Sequence, residues 1–150
     1  MQRPHIPAAL ALLAAAGCSQ PMTEWEKDYQ ATRMRSEARA RQQAAQQAQA
    51  TLDEFLAKAR QLPAGTKSYA LKVGIREAVG TEYFWIDEFS WSDGTFRGRI
   101  KDEPRLVKSV KPGQIHTFSR SDIVDWTYVD EASGRTFGNF TASDSPGVRR

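Results

Sequence analysis

The residue content of the chain changes abruptly at Pro63, and that change limits the folds open to it more than any other feature. Residues 23–61 contain neither Pro nor Gly and are dominated by Ala, Gln, Arg and Glu. Strong helix formers without a breaker predict one long helix, which would reach roughly 55–60 Å at 1.5 Å per residue if continuous. Its heptad seam reads Ala31, Met34, Ala38, Arg41, Ala45, Ala48, Leu52, Phe55, Ala59 and Leu62. So many alanines bury little area, which favours a solvated spacer over an oligomerising stalk for residues 18–50. Thr51 and Glu54 match a capping box, and Leu52, Phe55, Leu56, Ala59 and Leu62 form one apolar face predicted to dock on the domain that follows. Pro63-Ala64-Gly65 ends this piece.

Beyond Pro63 the pattern becomes that of strands. Tyr69, Leu71, Val73 and Ile75 alternate with Ser68, Ala70, Lys72 and Gly74 across Thr66–Ile75. A second strand, Thr81–Trp91, is joined through Ser92-Asp93-Gly94 to a third at Thr95–Ile100. A fourth is expected at Gln114–Phe118, a turn or helical corner capped by Ser121 over Ser121–Trp126, and a closing hairpin from Trp126–Asp130 and Arg135–Phe140. The fold class predicted is α+β: a small, strongly curved antiparallel sheet or partial barrel with one packed helix, preceded by the long N-terminal helix. The domain is placed at residues 51–141, with 142–150 as a flexible tail.

The order of these residues resembles a known family. Glu82, Trp85-Ile86, Phe96-x-Gly98, Pro104, Lys111-x-Gly113 and Ile123-x-Asp125-Trp126 follow one another as in the bacterial domain of unknown function 2314, the YegJ-like proteins. The resemblance spans about residues 66–140. Many members have His where this chain has Tyr83. The resemblance implies a fold and no catalytic residues, because the family has no established activity.

The remaining chemistry is sparse. His116 is the only histidine of the domain, and its alternation with Ile115 and Thr117 marks a strand residue. As a catalytic residue it is a weak candidate, for a small periplasmic hydrolase pairing it with a nearby carboxylate such as Asp122 or Asp125. Asp87-Glu88 and Asp102-Glu103 are adjacent carboxylates, which point to opposite faces of a strand, and no His/Cys cluster accompanies them, so neither a metal nor a cofactor is expected.

Aromatic residues are the stronger clue. Tyr83, Phe84, Trp85, Phe89, Trp91, Trp126 and Tyr128 crowd a short domain, and most must form its core. Successive strand positions cannot all face inward, so the second face is covered either by the 52–62 helix or by a partner. Tyr83 and Trp91 are the residues expected to form an exposed binding surface.

The first eighteen residues give an address. Arg3, the apolar stretch Ile6–Ala16 and Gly17 before Cys18, the only cysteine, read as a lipoprotein signal: residues 1–17 would be removed and Cys18 acylated. Lipid at Cys18 makes the bilayer one partner and leaves no thiol for a disulfide. Ser19, rather than Asp, after the cysteine points to outer-membrane sorting in a Gram-negative host, with the domain in the periplasm. Loss of Arg3 with the signal lowers the net charge from +3 to +2. That balance, and the lack of any run of five basic residues, argues against nucleic acid. The expected protein is a membrane-anchored, non-catalytic binding module for an envelope protein or polymer, with the hydrolase and the oligomeric stalk as alternatives.

Overall fold

The computed structural model describes residues 21–144. The predicted signal, Cys18 and the last six residues of the predicted tail lie outside the described residues. The chain divides into two compact units, residues 1–34 and 35–150. In the first, Thr23 precedes helix α1 (Glu24–Gln61), and its N–H and hydroxyl both donate to the Glu26 carboxylate at 2.7 Å. Lys27 N–H donates back to the Thr23 carbonyl, so the first turn is closed by its own side chains.

The second unit has the predicted α+β fold class. Six strands, β1 (Thr66–Glu77), β2 (Gly80–Ser92), β3 (Thr95–Ile100), β4 (Ile115–Ser119), β5 (Ile123–Asp130) and β6 (Thr136–Gly138), form an open antiparallel sheet in the order β4-β3-β2-β1-β5-β6. The alternation read in β1 holds: Leu71, Val73 and Ile75 are buried on one face, opposite Ile86, Phe84 and Glu82 of β2. Ala48, Leu52, Phe55 and Leu56 of α1 cover that face, and the sheet adds Phe96, Ile100, Phe118, Ile123, Trp126 and Tyr128 to the same core. The Phe55 ring stacks on Trp126 at 4.8 Å, while the Trp126 indole N–H donates to the Ala48 carbonyl at 3.1 Å. Each such side chain contributes about 1.5–3 kcal/mol on burial, so these few residues dock the helix firmly.

Several local expectations are corrected. Thr51 does not cap a new helix: α1 runs through it, its hydroxyl donates to the Gln47 carbonyl at 2.9 Å, and the packed stripe reaches back to Ala48. Leu62 leaves the docked face because its backbone turns left-handed (φ 45°) just past the helix, which exposes its side chain. The corner after β4 is a 3-10 turn confined to Arg120–Asp122, and Ser119, not Ser121, precedes it, donating through its N–H and hydroxyl to Asp122 at 2.8 and 2.7 Å. Ile123 already belongs to β5, since it pairs with Val73. At the other end Phe140–Asp144 form a second 3-10 turn, so regular backbone continues beyond residue 141.

One irregularity decides what faces where. In β2 the register with β3 slips between Asp87 and Ser90, and Glu88 adopts φ 46°. An extra residue reverses strand parity. Phe89 and Trp91 therefore turn to the helix-covered side, with Phe84 and Ile86, and Phe89 stacks on Phe55 at 6.0 Å.

Candidate functional site

The face of the sheet turned away from the packed helix carries its own arrangement. Trp85 of β2 pairs with Lys72 of β1, and Tyr83 pairs with Gly74. Because Gly74 has no side chain, the Tyr83 ring lies over it: Tyr83 Cε1 is 3.1 Å from the point a Cβ would occupy. The ring is thereby held against the sheet while 51 % of the residue stays exposed. The Lys72 ammonium lies 5.7 Å from the centre of the Trp85 ring and donates to the Thr141 hydroxyl at 2.8 Å.

Lys72 is positioned from beneath. Its partner on β5 is Asp125, which is fully buried and accepts from Thr141 N–H, Thr141 Oγ1 and Trp126 N–H, each at 2.8 Å. The chain Asp125–Thr141–Lys72 fixes the ammonium over the sheet, with two of its three donors left for other partners.

A second device builds the opposite wall. Between β3 and β4, residues 101–114 lack regular structure, yet they are pinned by two carboxylates from β1 and β2. Glu82 accepts from the N–H groups of Arg105, Leu106 and Val107 at 2.8–3.0 Å, and Glu77 from those of Lys108 and Ser109 at 2.9 and 2.8 Å. Burial works to raise the Glu82 carboxyl, but these three N–H bonds outweigh it and hold the group below its usual range. Glu77 is lowered as well, by the Ser109 hydroxyl and the two N–H groups. Asp102 adds a further clasp, accepting from Trp85 N–H at 2.6 Å.

Together these elements enclose a cleft of about 720 Å³. Tyr83 and Trp85 form its floor, Lys72 and Arg41 of α1 stand on one side, and Asp102, Glu103 and Arg105 of the pinned loop stand on the other. A recess of about 80 Å³ adjoins it, lined by Arg41, Lys72, Tyr83 and Thr141 among others. The size falls in the range of ligand sites, roughly 300–1,000 Å³.

The sequence-predicted residues are not all brought together. Tyr83 lies in this cleft, whereas Trp91 sits on the opposite side of the sheet, half-buried, with the Arg60 guanidinium 4.8 Å from its ring centre and Phe96 stacked at 5.9 Å. Trp91 lines a separate groove of about 410 Å³ between α1 and the β2–β3 hairpin. His116, half-buried, pairs with Gly98 and stacks on Phe118 at 6.2 Å; burial lowers its imidazole, against the pull of Asp122. It lines neither cleft. Asp125 is spent on Thr141 and Trp126, so no Ser-His-Asp arrangement forms around His116 with it. Of the paired carboxylates, Glu88 binds Arg99 at 2.8 Å and Asp87 faces Lys101 at 3.5 Å. Among the described residues no group of three His, Cys, Asp or Glu converges as a metal site.

Lys72, Trp85, Glu77 and Glu82 were not singled out from sequence as site residues. Strand alternation places Lys72 across from the core face, but its neighbour Trp85 follows only from the register.

These features define a small α+β protein in which one helix covers one face of an open sheet, and a loop clasped by carboxylates walls a cleft that takes in Tyr83 and Trp85 of the other face and Arg41 of the helix. The chain belongs to the bacterial family described as uncharacterized protein conserved in bacteria (DUF2314), which it matches over residues 38–144. It is similar to the uncharacterized protein YegJ of Escherichia coli (strain K12), with 32% identity over 74 residues that cover 49% of this chain and 47% of that protein. The chain thus spans about half the length of the curated relative it matches. No solved structure matches it significantly. No helix among the described residues is long and apolar enough to cross a membrane.

Proposed function

We propose that this protein is a lipid-anchored component of the bacterial envelope whose sheet domain binds a ligand without transforming it. The observation that carries the binding role is the Tyr83 ring, packed over Gly74 yet half-exposed in a cleft of ligand size. Aromatic rings kept rigid and half-exposed supply contact area at little entropic cost. The only histidine of the domain lies outside that cleft, and of its three carboxylates Glu82 is committed to three backbone N–H groups and Asp102 to one, which leaves Glu103 as the one wholly open acceptor and suits recognition rather than proton transfer. Support for the anchor is the apolar stretch Ile6–Ala16 with Gly17 before Cys18. Tethering concentrates the domain at the membrane surface, where a modest affinity for an envelope polymer suffices.

Two arms test the reading. Labelling of cells with an alkyne analogue of palmitate should tag the protein and place it in the outer-membrane fraction, and Cys18→Ala should abolish both. The full-length chain should co-sediment with isolated peptidoglycan sacculi; Tyr83→Ala should lose that association and Trp91→Ala, in the other groove, should keep it. A soluble, unlabelled protein removes the anchor; sedimentation unaffected by Tyr83→Ala removes the binding site.

A further inference from the structure

We infer that the Tyr83–Trp85 cleft takes an acidic sugar, with the ring of the saccharide over the two aromatic side chains and its carboxylate on Lys72 and Arg41. The inference rests on the cleft being the ligand site, as proposed above, and not on the lipid anchor.

Three observations lead to this chemistry. The floor is aromatic: the Cδ1–Cε1 edge of Tyr83 packs over Gly74, and Trp85 stands two residues along on the same face. A pyranose ring presents a row of C–H groups on one face and matches the electron-rich face of such rings, while its hydroxyls point outward. The charges, moreover, are separated across the floor. Lys72 and Arg41 share the adjoining recess with Tyr83, whereas Asp102 and Glu103 belong to the loop beyond Trp85 and do not reach that recess. The Lys72 ammonium has donors to spare after Thr141, and among the described residues the Arg41 guanidinium takes part in no ion pair. Two cations from different elements therefore converge where one carboxylate can join them with charge-assisted hydrogen bonds.

The far side then limits the ligand. Glu103 is exposed, and Asp102 commits one oxygen to Trp85 N–H, so both retain acceptor sites facing the cleft. Carboxylates accept from hydroxyls and repel a second anion. A polyanion such as a phosphorylated or nucleic-acid strand would meet Asp102, Glu103 and Glu82 across the cleft, while a neutral sugar would leave Lys72 and Arg41 without a counter-charge. A single carboxylate on a polyhydroxylated ring satisfies both sides.

The experiment uses the full chain in a sugar-free zwitterionic detergent, 15N-labelled, with the Trp85 indole N–H assigned from a Trp85→Phe spectrum. Glucuronic acid and N-acetylmuramic acid are titrated beside their neutral counterparts, glucose and N-acetylglucosamine. At least one acid should shift the Trp85 signal and bind about tenfold more tightly than its neutral counterpart. Whichever acid binds more tightly tells a ring carboxylate from a lactyl carboxylate as the source. Arg41→Met, at an exposed helix position, should weaken the acid about tenfold with an unchanged spectrum elsewhere, as should Lys72→Met. Equal binding of acid and neutral sugar, shifts at Trp91 in place of Trp85, or no Trp85 shift up to about 50 mM overturns the inference. Should that happen while Tyr83-dependent sedimentation with sacculi persists, the cleft remains the ligand site and its ligand is not an acidic sugar. Loss of both overturns the binding site itself.

Discussion

The Tyr83 ring lies across the backbone of Gly74 on the neighbouring strand, with Cε1 3.1 Å and Cδ1 3.4 Å from the place a Cβ would occupy. The glycine is a seat for the ring. Gly74→Ala should tilt the ring outward while the strand, relieved of a flexible residue, keeps its stability within about 0.5 kcal/mol. Ligand binding should fall severalfold with little change in Tm, a separation read by thermal melts beside the Trp85 titration.

Gly138 is a different kind of glycine. It has φ +73°, and a Cβ there would stand 2.1 Å from the Trp126 carbonyl oxygen and 2.5 Å from its ring. Neither backbone nor packed indole can yield, so Gly138→Ala should cost about 3 kcal/mol or more. Urea unfolding followed by tryptophan fluorescence measures it, and a loss under about 1 kcal/mol would count against this packing.

Asp125 is fully buried and accepts three hydrogen bonds. Replacing it by Ala leaves the N–H groups of Thr141 and Trp126 without that acceptor and should destabilise the domain by about 3 kcal/mol. In a double-mutant cycle with Thr141→Val the two losses should overlap, because both changes break the same chain of contacts to Lys72.

The pinned loop should be acid-sensitive. Glu77 and Glu82 are both held below 4.5 in the fold, Glu77 by Ser109 and Lys108, and Glu82 by the N–H bonds that outweigh its burial. A depressed carboxylate contributes stability above its unfolded value and loses it as pH falls through the folded one. Hydrogen exchange of the amides of residues 105–109 should therefore accelerate as pH drops below about 4.5, once corrected for intrinsic rates. In Glu82→Gln the acceleration at residues 105–107 should be largely gone, since protection there no longer depends on a titrating group.

Phe55 ties the helix to the sheet through Trp126, Tyr69, Phe89 and Tyr128, with ring centres 4.8–6.5 Å away. Phe55→Ala should cost about 3–5 kcal/mol in chemical denaturation, the largest loss expected from any single change in α1.

Much of this fold was legible in the sequence, and the exceptions have physical causes. Period-two alternation revealed β1 because Leu71, Val73 and Ile75 meet a single covered face, and the apolar stripe from Leu52 to Ala59 identified the docked helix. The same rule misled at Trp91. Counting in twos places it beside Tyr83, but the left-handed Glu88 inserts one residue and sends the two rings to opposite faces. Nothing in Asp87-Glu88-Phe89 announces a bulge. Thr51 likewise has the residues of a cap and none of its geometry, because the packing of Ala48 and Leu52 carries the helix through it. The cleft was the least legible part: Glu77 and Glu82 look like ordinary surface carboxylates until the chain returns, 23–32 residues later, to lay its amides on them.

That mode of attachment has a consequence for how such a protein can change over time. Glu77 and Glu82 grip peptide N–H groups, which every residue but proline carries, and the two prolines of this loop, Pro104 and Pro112, stand on either side of the gripped run. Apart from Asp102, which clasps Trp85, Ser109, whose hydroxyl meets Glu77, and the buried Val107 and Val110, side chains along this wall can therefore be exchanged without loosening the wall itself. What the cleft prefers can be rewritten one residue at a time while the scaffold beneath it stays the same.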